Sequence, residues 1–122
     1  MVERLSYSHK DKARLALAMK VAAMSKCVTK HGAALYRGGS VLALGINTER
    51  NDHDFVEKSK ILDICSTHAE MSALSRVKDA KGATIYVARV NRAGEARMSR
   101  PCAKCYRALE AAGVRRVVYT EG

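Results

Sequence analysis

Four side chains suited to metal binding or proton transfer fall at two predicted helix starts. His68 and Glu70 are two residues apart, and Cys102 and Cys105 are three residues apart, directly after Pro101. An imidazole and two thiolates are zinc ligands, and a set of three leaves the fourth tetrahedral position open for water. Since structural zinc sites usually close with a fourth ligand, the set predicts a catalytic site with one zinc ion per chain.

The helix expected to begin at Pro101 supports a metal-binding role for Cys102 and Cys105. Both sulfur atoms would then project from one face of its first turn, where the helix dipole favours thiolates. A CxxC pair alone also occurs in redox pairs and in structural zinc sites. Cys27 and Cys65 lie outside this motif, and we expect both to be buried as small hydrophobic residues.

Two alternatives remain open at this site. Thr67 and Glu70 fit a capping box, in which Glu70 only satisfies a backbone N–H at the helix start. The joint occurrence of the His, Glu and Cys motifs favours acid–base chemistry instead. A fourth ligand, which would close the site, could come from His9, His31 or His53. His9 and His53 fall in segments expected to be exposed, and His31 precedes the first predicted strand.

Hydrophobic periodicity and turn residues predict the elements that carry these side chains. Helices are expected at residues 8–25, 67–77 and 101–112, and strands at 33–36, 41–46, 83–90 and 116–120. Gly38 and Gly39 suit a tight hairpin between the first two strands, and the helix between the last two strands makes these parallel. We therefore expect one domain over residues 1–122, with a mixed four-stranded sheet flanked by helices in three α/β/α layers.

Composition restricts the partners and the compartment. The chain has 22 Lys and Arg against 12 Asp and Glu, a formal net charge of +10, which favours anionic partners such as nucleotides or nucleic acids. It contains no apolar stretch long enough to span a membrane, and its N-terminal segment lacks the apolar run of a signal peptide. We therefore expect a soluble cytoplasmic protein.

Taken together, these motifs resemble the cytidine and deoxycytidylate deaminase superfamily, whose signature is H-x-E followed by P-C-x-x-C. The similarity is greatest to short deoxycytidylate-deaminase-like proteins of bacteriophages. It also covers the first helix, the hairpin, Gly45-Ile-Asn47, and the strands ATIYVARV and RVVYT. It implies a cytidine-deaminase-like fold and zinc-dependent hydrolysis of the exocyclic amine of a cytosine nucleoside or nucleotide, with dCMP as the leading candidate. In such an enzyme Glu70 moves the protons. The resemblance also implies that the enzyme works in the cytoplasm of a bacterium or of a phage-infected host.

The resemblance also implies substrate-binding residues. Asn47 follows the second strand, where the family places an Asn that binds the sugar or base; the alternative is an Asn favoured by a strand-end turn. Ala69 would contact the base through its backbone. Arginines on the two loops expected to flank the pocket could hold a phosphate or simply be solvated. They are Arg50, Arg92, Arg97 and Arg100.

Two other functions compete with a small-molecule deaminase. A deaminase of single-stranded DNA or RNA would suit the net charge, although the chain has no Trp and one Phe for base stacking. A non-catalytic module stabilised by zinc would use the same ligands. Whichever function applies, the chain ends soon after its last strand. We therefore expect that strand to be an open sheet edge and, also from the resemblance, the protein to be a homo-oligomer.

Overall fold

A computed structural model describes residues 2–3, 7–48 and 67–122. Within these ranges the chain forms three helices and six strands. None of these helices is long and apolar enough to cross a membrane. In chain order the elements are β1 (Val2–Glu3), α1 (His9–Ala23), β2 (Lys30–Arg37), β3 (Ser40–Ile46), α2 (Ala69–Leu74), β4 (Thr84–Val90), β5 (Ala96–Arg97), α3 (Ala103–Ala111) and β6 (Arg116–Tyr119).

The six strands form one sheet in the order β1-β6-β4-β2-β3, with β5 paired to β4. β2 is antiparallel to both β3 and β4, whereas β6 is parallel to β4 and to β1. The predicted count of four strands is too low, because β1 and β5 add two short ones. The prediction that the last strand is an open edge is also wrong, because β6 lies between β4 and β1.

Helices cover both faces of the sheet, which confirms the predicted α/β fold with flanking helices. Side chains alternate along β2, so that Ala34 and Tyr36 face one layer while Ala33 and Leu35 face the other. The first face packs against α1 through Leu15 and Ala18. The second face packs against α2 and α3, which contribute Ala69, Ala73 and Leu109 to the hydrophobic core.

Two glycines allow the helices to approach the sheet closely. A Cβ atom at Gly45 in β3 would lie 2.5 Å from both Ala69 O and Ala73 N of α2. A Cβ atom at Gly32 in β2 would lie 2.5 Å from Ala18 O of α1. Both distances are too short for a real side chain, so backbone meets backbone at each point. The contact at Gly45 fixes where α2 begins relative to the sheet.

Several element boundaries differ from the predictions. The first long strand begins at Lys30 rather than at residue 33, since the polar Lys30 and His31 conceal its start. The second helix spans only Ala69–Leu74 instead of residues 67–77, and the third begins at Ala103 instead of 101. The hairpin between β2 and β3 is confirmed, with Gly38 at a positive φ of 62° in its turn.

A buried ion pair joins the start of α1 to β6. Asp11, 3% exposed, accepts hydrogen bonds from both terminal nitrogens of Arg116 at 2.9 and 2.6 Å and from the Tyr86 hydroxyl at 2.9 Å. Asp11 also completes a capping box with Ser8 at the start of α1. The Arg116 guanidinium, with the hydrogen bonds from Ser8 and Tyr86, holds the pKa of Asp11 well below its usual value of 3.8.

The substitution Asp11→Asn should destabilise the protein by about 3 kcal/mol at neutral pH, because it leaves the Arg116 charge buried without its partner. The depressed carboxyl pKa gives stability that is present above the ordinary pKa and lost as the pH falls below it. Urea unfolding from pH 7 to 3 should therefore bring the wild type and the variant closer together. Glu121→Gln, an exposed control, should leave stability unchanged. A constant gap between wild type and Asp11→Asn at every pH would contradict this account.

Gly45→Ala should displace α2 from the sheet, because the new methyl group meets two backbone atoms that cannot rotate away. We expect destabilisation of about 2 kcal/mol in urea unfolding and reduced zinc content by atomic absorption. Gly39→Ala is the matched control, since a Cβ atom there has no neighbour within 4 Å. Normal zinc content and stability in Gly45→Ala would show that the contact does not position the helix.

Candidate active site

Two helix starts meet at one end of the sheet and bring the predicted metal ligands together. His68 is the N-cap of α2 and Cys102 the N-cap of α3, while Cys105 lies in the first turn of α3. His68 Nδ1 is 3.1 Å from Cys105 Sγ and 3.8 Å from Cys102 Sγ. The three ligand atoms lie within 4.8 Å of one another, and no fourth His, Cys, Asp or Glu joins them among the described residues.

The local structure differs in detail from the prediction at both helix starts. Cys102 precedes α3 and caps it, its sulfur accepting a hydrogen bond from Cys105 N at 3.5 Å. The cap of α2 is His68, which makes no side-chain capping bond, while Thr67 pairs with Thr48 in an isolated bridge. The alternative of a Thr67–Glu70 capping box is therefore wrong.

The donor set fits a zinc ion. Tetrahedral zinc with ordinary bond lengths separates its nitrogen and sulfur ligands by about 3.6 Å, between the two distances from His68 Nδ1. Burial and the nearby Glu70 raise the pKa of the Cys105 thiol. A cation among these atoms would offset the cost of the buried thiolate, which is the form that binds metal.

Glu70 lies beside this group, only 4% exposed, in the first turn of α2. Burial raises the pKa of its carboxyl, partly opposed by its own backbone N–H and by His68. A carboxyl that is reluctant to stay ionised can both accept and return a proton near neutral pH. Its position suits proton transfer within the site.

A cavity of about 270 Å³ opens over His68, Cys102 and Glu70. Its walls come from the two helix starts, from the start of β2 and the end of β3, and from the segment before α3. The lining residues are Cys27, Thr29, His31, Asn47, His68, Ala69, Glu70, Ser99, Arg100 and Cys102. Cys27 is thus half-buried in the cavity wall and not in the core as expected.

Asn47 lines the cavity, but most of its amide is already bonded to the protein. Its Oδ1 accepts hydrogen bonds from Ser25 Oγ at 2.6 Å and from His31 N at 3.0 Å, and its Nδ2 donates to Thr29 O at 2.7 Å. Both acceptor positions of the oxygen are occupied, and within the described residues one Nδ2 proton remains. Asn47 therefore ties together the loop after α1 and the start of β2.

His31 lines the cavity from a position that differs from the predicted one. It is the second residue of β2 and not a residue before the strand. It does not join the cluster of metal-binding atoms among the described residues. Burial, with the positive Arg89 and the nearby His68, lowers the pKa of its imidazole to about 4. Ala33 and Leu35 face α2 and α3. The same two-residue alternation, continued towards the N-terminus, places residue 31 on that face.

Ser99, which the motifs did not single out, is buried in the cavity wall. Its hydroxyl donates to Val87 O at 2.8 Å and lies 2.8 Å from Thr120 Oγ1. These contacts fix the segment that leads into Cys102. In the sequence, the position of Ser99 directly before Arg100 and Pro101 was the signal that it could contribute to the site.

The four arginines proposed to flank the pocket are placed differently from one another. Arg100 lines the cavity. Arg92 is exposed outside it, and Arg97 lies in β5, where it bonds to Ala96 O and lies 3.9 Å from Glu95. Arg50 lies outside the described residues, as do His53 and Cys65.

Comparison with known proteins supplies the family context. Residues 7–121 match the family model described as the cytidine and deoxycytidylate deaminase zinc-binding region. No curated protein sequence matches the chain significantly.

Solved structures share the fold at low sequence identity. The dCMP deaminase of the cyanophage S-TIM5 in apo form is 21% identical with a TM-score of 0.66, over 93% of this chain and 84% of that one. The same enzyme in complex with dCMP and dUMP is 23% identical with a TM-score of 0.66, over 93% and 82% of the two chains. Guanine deaminase of Bacillus subtilis is 20% identical with a TM-score of 0.60, over 94% and 65%.

Proposed function

Because the chain belongs to the cytidine and deoxycytidylate deaminase zinc-binding family, as its motifs indicated, we propose that it is a zinc-dependent hydrolytic deaminase. Its substrate is a cytosine nucleoside or nucleotide, with dCMP as the leading candidate. The main support is that His68, Cys102 and Glu70 line one cavity, while the ligand atom of the buried Cys105 lies within 4.8 Å of those of His68 and Cys102. The choice of dCMP draws on the motifs and on the structural neighbour solved with dCMP and dUMP.

His68 would hold zinc through Nδ1, which faces the two sulfur atoms, and Cys102 and Cys105 would hold it as thiolates. A zinc ion bound there would supply a water molecule activated for attack on the amine-bearing ring carbon. Cys102 is exposed and Cys105 buried. The open side of the site therefore lies towards the cavity and Cys102.

Glu70 would carry the protons. It takes one from the attacking water and gives it to the ring nitrogen beside the amine-bearing carbon, and it then moves the proton of the new hydroxyl group to the departing amine. Water adds to the carbon, the C–N bond breaks, and the products are a ring carbonyl and ammonia. No redox partner is required for this exchange.

Substrate binding would use groups already in the cavity wall. The remaining Nδ2 proton of Asn47 can donate to an oxygen of the substrate. The backbone of Ala69, at the start of α2, can contact the edge of the base. Arg100, at the mouth of the cavity, can hold a phosphate group through two parallel hydrogen bonds.

A deaminase of single-stranded nucleic acid is the second candidate, supported by the net charge of +10. Ammonia release separates the candidates when zinc-loaded protein is given cytidine, dCMP, dCTP and single-stranded oligonucleotides. Turnover of dCMP or cytidine supports the first proposal. Turnover confined to oligonucleotides, and falling with salt, supports the second. Zinc-dependent folding with no turnover of any substrate would leave only the non-catalytic zinc module.

Glu70→Gln should lower kcat by about 10³-fold, because the amide keeps the shape of the side chain but cannot carry a proton between water and base. Zinc content should stay at one ion per chain. Glu110→Gln, on the exposed side of α3, is the matched control and should retain wild-type turnover. Wild-type rates in Glu70→Gln would overturn the assignment.

The protein is also proposed to be a homo-oligomer. Because β6 is not an edge strand, the proposal now relies on the family resemblance and on β3, which is an edge strand among the described residues and exposes Val41 and Leu44. Light scattering at micromolar concentration should give a multiple of the 13.3 kDa chain mass. A monomer mass would refute the proposal.

A further inference from the structure

The polar side chains of the cavity differ in how much hydrogen-bonding capacity they have left. Asn47 has both oxygen acceptor positions filled and one amide proton committed. The Ser99 hydroxyl is engaged by Val87 and Thr120. Glu70 and the three metal ligands are assigned to the reaction itself. The groups available to recognise a substrate are therefore few.

His31 stands out from this set. It is half-buried in the cavity wall. Within the described ranges, its ring nitrogens make no hydrogen bond, and only its backbone groups are paired. A half-buried imidazole always carries at least one N–H donor, and leaving it unpaired is costly. Water or a ligand must satisfy it when the cavity is filled.

The backbone around His31 holds this side chain towards the site. Its N–H donates to Asn47 Oδ1 at 3.0 Å, and its carbonyl accepts from Asn47 N at 3.3 Å. Gly32, the next residue, faces the opposite layer and lies against α1. The pleat of β2 therefore directs His31 to the face that carries α2 and the metal ligands.

We propose that His31 is a substrate-binding residue that forms a direct hydrogen bond to the edge of the base. The reacting ring carbon must lie beside the metal ligands, and His31 lines the same cavity as His68, Glu70 and Cys102. The base, rather than a distant phosphate, is therefore the part of the substrate within reach. Asn47 then acts in part as a positioning residue, because it fixes the backbone of His31. This inference rests on the proposed deaminase function.

The test compares His31→Phe, His31→Asn and His31→Gln as zinc-loaded proteins on the best substrate of the wild type. Phe keeps a flat ring and removes the hydrogen bond, so KM should rise about tenfold while kcat changes much less. Asn approximates the position of Nδ1 and Gln that of Nε2. One of the two amides should recover most of the loss, and it identifies the ring nitrogen that is used. His9→Phe, at an exposed histidine of α1, should match the wild type.

Zinc content and urea unfolding of each variant separate recognition from a structural effect. An unchanged KM in His31→Phe, or recovery by neither amide, would overturn the assignment of His31 while leaving the deaminase proposal intact. A kcat loss that follows zinc loss would likewise overturn it, because His31 would then support the metal centre instead. A wild-type protein that releases no ammonia from any substrate would overturn the deaminase proposal, and this assignment with it.

Discussion

The contact between Gly45 and α2 is the constraint on which the site depends. Backbone meets backbone there, so the distance of α2 from the sheet is set by atoms that cannot change rotamer. That distance decides where His68 and Glu70 stand relative to Cys102 and Cys105, which come from a different helix. Ligand atoms within 4.8 Å of one another require both helices to be fixed to better than the length of a side chain.

Small residues allow similarly close packing in the rest of the core. Gly32 allows α1 the same close approach on the other face, and many of the buried residues on both faces are alanines. Such a core offers less apolar area per residue than one built from Leu and Phe. Polar clusters at the two ends of the sheet complete the packing: the Asp11–Arg116 pair holds α1 to β6 at one end, and Asn47 joins three segments at the other.

The sequence predicted the chemistry of the site better than its walls. The types and spacing of His68, Cys102 and Cys105 singled out three residues that the structure brings together, and the same motif placed Glu70 beside them. The position of His31 within a strand and in the cavity wall was missed because residues 30–32 have weak strand propensity. This part of β2 forms only by pairing with β3 and β4. β1 and β5 are two residues each and have no periodicity to detect. Pro101 suggested a helix start two residues early because the capping by Cys102 depends on its sulfur geometry.

The same packing favours a cation at the candidate site. Cys105 is 2% exposed and Glu70 4% exposed, so two groups that become anions share a space with little water. An ionised Glu70 raises the cost of ionising Cys105, so the raised thiol pKa of Cys105 has Glu70 among its causes after burial. A divalent cation bound there would reverse this balance by stabilising the thiolate, with release of the thiol proton. Glu70 would then lie beside a cation instead of a second anion, which suits its proposed role in proton transfer.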